Sequence, residues 1–96
     1  MTTPLTIVAT IEALPEFRDQ VKAELLKLIA PTQQEAGFIQ YDLHQDNEDP
    51  NRFVFFENWE SKTLWEAHMG NQHLADYMKA TDGMVANFTL FQMSKV

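Results

Sequence analysis

Between Phe53 and His73 the sequence reads FVFFENWESKTLWEAHMGNQH, and these 21 residues concentrate the chain's chemistry. They hold both tryptophans, Trp59 and Trp65, and two of the three histidines, His68 and His73. They also hold a carboxylate, Glu57, alternating with Phe55 and Trp59. Imidazoles exchange protons near neutral pH. A carboxylate in apolar surroundings rises in pKa unless a donor or a cation holds its charged form. Together these groups suit proton shuffling near neutral pH beside an apolar space. The plainer alternative is structural. Trp59 would then be core, Glu57 would bond a neighbour, and the two histidines would satisfy helix ends or pack at a pocket rim.

The two imidazoles stand on either side of Gly70 and Asn71, which interrupt a helical pattern. His68 falls near the end of one helix, where the dipole favours imidazolium, and His73 near the start of the next, where it favours the neutral ring. Groups pushed in opposite directions suit proton shuffling. His68 follows Leu64 by four residues and so shares its inward stripe. A metal is not expected. H-x4-H is no standard ligand spacing, HExxH is absent, and Glu57 is the one further ligand considered. Trp65 reads as a packing or rim residue and Tyr41 as a pocket hydroxyl or plain core. Ser61 and Ser94 sit in no nucleophile elbow. Neither a P-loop nor GxGxxG is present, so no nucleotide is suggested.

The elements that must position these groups follow from periodicity. Leu5 to Ala13 alternates as a strand with both faces apolar or threonine. Pro15 suits a first helical turn. Leu14, Phe17, Val21, Leu25 and Leu28 then repeat at helical spacing, until Pro31 stops or breaks the helix. Thr32 to Gly37 is a short connector. Phe38 to Gln45 is a second strand, with Ile39, Tyr41 and Leu43 on one face and Phe38, Gln40, Asp42 and His44 on the other. DNEDPNR is a turn, and Phe53 to Glu60 completes a hairpin. Ser61 caps a helix to about Met69 and Asn71 caps another to about Ala80. Asn87 to Met93 is the last strand, with Phe88 and Leu90 opposite Thr89, Phe91 and Met93. The order is strand, helix, strand, strand, helix, strand. That predicts an α+β, ferredoxin-like fold: a four-stranded antiparallel sheet with helices on one face. The uncovered face keeps bulky apolar groups. At ~25 cal/mol per Å² its burial is worth several kcal/mol, which predicts a homodimer packed sheet against sheet.

Composition narrows the classes. Ninety-six residues make one small domain, 1–96, and 45% are apolar with seven Phe. The net charge of −7, with no Lys/Arg cluster, argues against nucleic acid and anionic membranes. With no cysteine there is neither a disulfide framework nor a thiolate nucleophile. MTTPLTIVATIEAL lacks a basic region and a small-residue cleavage site, and no apolar run approaches ~20 residues. A cytoplasmic protein is expected.

The runs TIVATIEA, EAGFIQYDL, FVFFENW and SKTLWEAHMGNQH carry a resemblance that covers nearly the whole chain. In them the chain resembles the antibiotic biosynthesis monooxygenase domain family, above all its small quinol-monooxygenase-like members. E-x-W followed by H-x4-H is the more specific combination. The resemblance implies a dimeric α+β barrel with a pocket between sheet and helices in each subunit. It implies oxidation of a small phenolic or quinol substrate by O2 as co-substrate, with no cofactor, neither metal nor flavin. Residue by residue, it implies that Trp59 shapes the ring site and His68 acts as base. His73 and Tyr41 would orient oxygen substituents, and Glu57 would hold a neighbouring side chain. Haem-degrading relatives have a Trp where His68 stands and an Asn in the first strand, and this chain has neither. An isomerase branch acting on a phosphorylated signalling sugar would have only Lys22, Lys27 and Arg52 to offer a phosphate. A non-catalytic dimer holding a small hydrophobe is the remaining alternative.

Overall fold

Buried and half-buried residues alternate along the whole of Leu5–Ala13, strand β1, so one row of side chains meets the core while the other does not. The computed structural model describes residues 4–96. The reading of a leader-free start falls partly on residues 1–3, which lie outside them. A 3-10 turn at Pro15–Phe17 leads into helices α1, Arg18–Lys27, and α2, Ile29–Thr32. Strands β2, Phe38–Gln45, and β3, Arg52–Trp59, form the hairpin. Helices α3, Lys62–Met69, and α4, Gln72–Ala80, precede β4, Val85–Met93. The sheet order is β2-β3-β1-β4 and every neighbouring pair is antiparallel. The fold is the ferredoxin-like α+β arrangement that the element order predicts.

Cross-strand register assigns the faces. Leu5 pairs with Trp59, Ile7 with Glu57, Ala9 with Phe55 and Ile11 with Phe53. All eight are buried under the helices, with Val21, Leu25 and Leu28 of the first helical segment packed among them. The opposite face carries Val8, Val54, Phe56, Phe91 and Met93, of which the last three are exposed. Among the described residues no helix is long and apolar enough to cross a membrane.

Four local expectations are corrected. The first helix breaks before Pro31, at Leu28, and Pro31 then sits within the first turn of α2. A residue there has no intrahelical partner for its N–H, so proline's missing donor costs nothing. In β2 a register shift between Phe38 and Gln40 sets Phe38 opposite Trp59 and leaves Ile39 outside, 51% exposed. A bulge adds one residue and so exchanges the faces on one side of it. Strand β4 begins two residues earlier than expected, at Val85. Finally, Ser61 caps α3 by accepting from Leu64 N at 3.2 Å, but Asn71 makes no side-chain cap on α4.

The connector before β2 lies flat on α3. Gly37 has φ +85°, and a Cβ added there would fall 2.6 Å from Leu64 Cβ. The Gly37 carbonyl also accepts from Glu60 N at 2.9 Å, which ties the connector to the end of β3. An alanine at Gly37 would be strained in the left-handed region and would push against a Cβ rather than a flexible chain end. Gly37→Ala is expected to destabilise the fold by about 2 kcal/mol or more, lowering Tm by roughly 10 °C in a thermal melt.

Candidate active site

Two strands, two helices and a connector aim polar groups into one apolar interior. Glu57, on the inner face of β3, is 4% exposed and stands directly opposite Tyr41 of β2. The Trp59 indole Nε1–H donates to Glu57 Oε1 at 2.9 Å. Burial pushes the Glu57 carboxyl up to about 7, Trp59's N–H works against this, and the nearby Glu35 adds to it. Burial also drives the Tyr41 hydroxyl upward, with the Glu57 charge as the next cause. Tyr41 stacks on Phe55 with ring centroids 4.4 Å apart.

His68 comes in from α3 and is 2% exposed. Its ring lies 4.6 Å from the Trp59 ring and 5.5 Å from that of Tyr41. Its Nδ1 meets Glu35 Oε2 at 2.5 Å. Burial lowers the imidazole's pKa, opposed by the hydrogen bond and charge of Glu35. A lowered pKa leaves the ring neutral near pH 7, so it can accept a proton. With Nδ1 engaged by Glu35, Nε2 has no hydrogen-bond partner among the described residues.

Glu35 is the residue that local pattern reading missed. It belongs to the connector between α2 and β2, and it organises the histidines. Asn71 Nδ2 donates to its Oε1, and His73 Nε2 lies 3.4 Å from its Oε2. Thr32 Oγ1, on a buried side chain, is 3.3 Å from the same His73 nitrogen. The amide that does not cap α4 is thus spent on orienting this carboxylate. The glycine two residues on, Gly37, was the available signal, since it permits the close approach of connector and α3.

Glu35, His68 and His73 also bring one carboxylate oxygen and two ring nitrogens within 4.8 Å of one another. That is a donor set a divalent ion accepts. As described, Glu35 Oε2 and His68 Nδ1 are hydrogen-bonded directly, 2.5 Å apart. Two ligands each about 2.1 Å from one ion stand roughly 3 Å or more apart.

A cavity of about 40 Å³ is lined by Tyr41, Glu57 and His68 amid aliphatic and aromatic groups. It adjoins a groove of about 370 Å³ between α4 and the start of β4, with Met69, Leu74, Tyr77 and Phe88 lining both. The remaining sequence candidates stand elsewhere. Trp59 lies behind His68 and lines neither space. Trp65 is 7% exposed, its Nε1 without a partner, and also lines neither. His73 is on the far side of Glu35 and not in the cavity wall. Trp59, Trp65 and His73 thus stand outside the linings of both spaces. Tyr77, which lines both spaces, carried no signal in the sequence beyond its place on a helix stripe.

The raised Glu57 pKa has a consequence for stability. An acid whose folded pKa exceeds its unfolded value of 4.5 binds more protons folded than unfolded between the two. Its contribution is full below about pH 4.5 and is lost as pH rises through about 7. The loss is on the order of 3 kcal/mol. Glu57→Gln, which keeps an acceptor for Trp59, is expected to remove this dependence and to be more stable than wild type at pH 8. Urea denaturation across pH 4 to 8 checks it.

Comparison with known proteins bears on the fold and the family. The family model described as antibiotic biosynthesis monooxygenase matches residues 4–80. Rv0793 of Mycobacterium tuberculosis is 32% identical over 77 residues, 80% of this chain and 75% of that protein. YcnE of Bacillus subtilis is 27% identical over 74 residues, 77% of this chain and 78% of its own length. Both carry provisional monooxygenase names. The crystal structure of PA3566 from Pseudomonas aeruginosa superposes with a TM-score of 0.94 at 35% identity, covering 100% of this chain and 97% of that one. With four-fifths of its length matched by the family model, the chain belongs to the antibiotic biosynthesis monooxygenase family.

Proposed function

We propose that the protein is a monooxygenase that oxidises a small electron-rich aromatic, of quinol or phenol type, with O2 and without metal or flavin. One observation carries this reading. An imidazole whose pKa burial lowers, His68, stands in the wall of an apolar cavity with Nδ1 held by Glu35 and Nε2 unengaged among the described residues. A base so placed takes a phenolic proton and leaves an anion rich enough in electrons to reduce O2 itself. The balance needs no further reductant: a quinol AH2 and O2 give the oxygenated quinone AO and H2O. The quinol supplies the electrons, one oxygen atom enters the ring and the other leaves as water.

The roles follow from position. His68 is the base, and Glu35 fixes its tautomer and ring plane. Trp59 backs the imidazole and, through its indole N–H, holds Glu57. Tyr41 offers a hydroxyl at the cavity wall. The groove, at about 370 Å³, is within the size range of small-molecule sites, about 300–1,000 Å³, and would hold the body of the substrate with its hydroxyl reaching inward. The sugar-phosphate isomerase reading is less well supported. Arg52 is engaged by Glu12 and Asp46, Lys27 by Glu24 and Lys22 by Gln45, and none of the three lines the cavity or the groove. A binding-only protein would not need the Glu35–His68 pair.

We also propose the homodimer, with a second copy covering Phe56, Phe91 and Met93 on the open sheet face. A cytoplasmic setting is proposed on the absence of cysteine.

Two outcomes are expected. An oxygen electrode with a panel of quinols should record one O2 consumed per quinol, and His68→Ala should lower kcat by about 10²- to 10⁴-fold. Equal rates in both proteins would remove His68 from the mechanism. Light scattering should give a mass near twice 11.1 kDa, reduced to the monomer by Phe91→Glu.

A further inference from the structure

Glu35 serves two imidazoles with a single oxygen. Its Oε1 is taken by the Asn71 amide, while Oε2 lies 2.5 Å from His68 Nδ1 and 3.4 Å from His73 Nε2. Exposure rises along this line, from 2% at the His68 side chain through 10% at Glu35 to 21% at His73. Its inner end is the cavity wall and its outer end meets water. Each imidazole has two nitrogens and can receive a proton on one while releasing another from the second. Tyr41, Glu57 and Tyr77 also line the cavity with His68, but of the titratable groups among the described residues only Glu35 hydrogen-bonds the ring.

We infer that Glu35 and His73 form a proton path between the buried His68 and solvent, with His73 as its outer station. The inference rests on the reading of His68 as the base. In the outward direction the substrate O–H breaks and His68 Nε2–H forms. The proton on His68 Nδ1 passes to Glu35 Oε2 and from there to His73 Nε2, and His73 gives up its Nδ1 proton to water. A doubly protonated His68 would return its Nε2 proton to the anion; once the Nδ1 proton has left, the ring is neutral and its Nε2–H is too weak an acid to do so, which preserves the anion for O2. Cleavage of the O–O bond to form water requires a proton in return. It travels the same bonds inward and restores the starting tautomers. No electron moves along this path. His73, which lines neither the cavity nor the groove, is thereby a positioning and relay residue rather than a substrate contact.

The test uses His73→Gln and His73→Ala with two readouts. The first, which needs no substrate, is the exchange of the His68 Nδ1 proton with water, measured by NMR. The second is quinol oxidation, as kcat and KM with the solvent deuterium isotope effect on kcat. His73→Gln keeps a polar side chain able to bond Glu35 and Thr32 yet passes no proton through. It should slow the exchange tenfold or more and lower kcat with KM unchanged. His73→Ala should be equally slow and should recover when imidazole is added to the buffer. Unchanged exchange and kcat in His73→Gln overturn the path. So does a fall in His73→Ala that imidazole does not relieve and that tracks a lower Tm, since that is the signature of a structural role alone. Slowed exchange in the variant of a protein that oxidises no quinol keeps the path and removes the oxidation reading instead.

Discussion

The carboxylate of Glu35 holds the site together. It is nearly buried, and a buried carboxylate persists only where donors surround it. Here the partners come from two stretches of chain: His68 on α3 and Asn71 at the start of α4 bond the carboxylate, and His73 of α4 approaches the same oxygen as His68. The break between α3 and α4 thus has a purpose beyond changing direction. It lets two histidines five positions apart converge on one oxygen, which an unbroken helix would not allow, since positions five apart point to different sides. The Asn71 amide at the break completes the set.

That constraint propagates outward. For Glu35 to reach α3, the connector must press against it, and Gly37 in the left-handed region, with no Cβ facing Leu64, permits the approach. For His68 to hold one plane, something must pack behind it, and the Trp59 ring does so at 4.6 Å. Trp59 in turn needs a partner for its indole N–H in a dry interior, and Glu57 accepts it. The second carboxylate is therefore tied to the first through an aromatic layer. The two differ in surroundings: Glu35 is ringed by donors, whereas Glu57 receives one indole and its pKa is raised to about 7. Two acids in one interior with such unequal support suit distinct roles, one orienting a base and one bracing the wall.

The sheet supplies rigidity. β1 and β3 run through its middle, so Glu57 and Trp59 sit on strands paired on both sides, and Tyr41 on β2 is aligned with Glu57 by register. Groups on such strands move little. The more exposed side of the site, where α4 and the start of β4 border the groove, carries Met69, Met78 and Phe88, side chains able to adjust to a ligand.

Much of this was legible in the residues alone, because alternation and helical spacing are local consequences of backbone geometry. The limits of β1, the Ser61 cap and the helix break at Gly70 and Asn71 all follow from such signals, as does the element order that makes the fold ferredoxin-like. Residues within a few positions of one another on a strand or helix were also read together: Glu57 with Trp59 on one inner face, and His68 on an inward stripe. What the pattern could not reveal is contact between distant segments. Glu35 is 33 positions from His68 and lies in an irregular connector with no periodicity to mark its direction. The bulge that exchanges Phe38 and Ile39 depends on how β2 pairs with β3, not on β2 itself. Trp59, His73 and Trp65 have the chemistry of pocket residues, yet which groups face empty space is settled by how helices seat on the sheet. The chain's local composition therefore determined its elements and its family resemblance. Only the close packing of the connector on α3 and α4 decided which carboxylate meets the imidazoles, because that contact is fixed by tertiary approach and leaves no local trace.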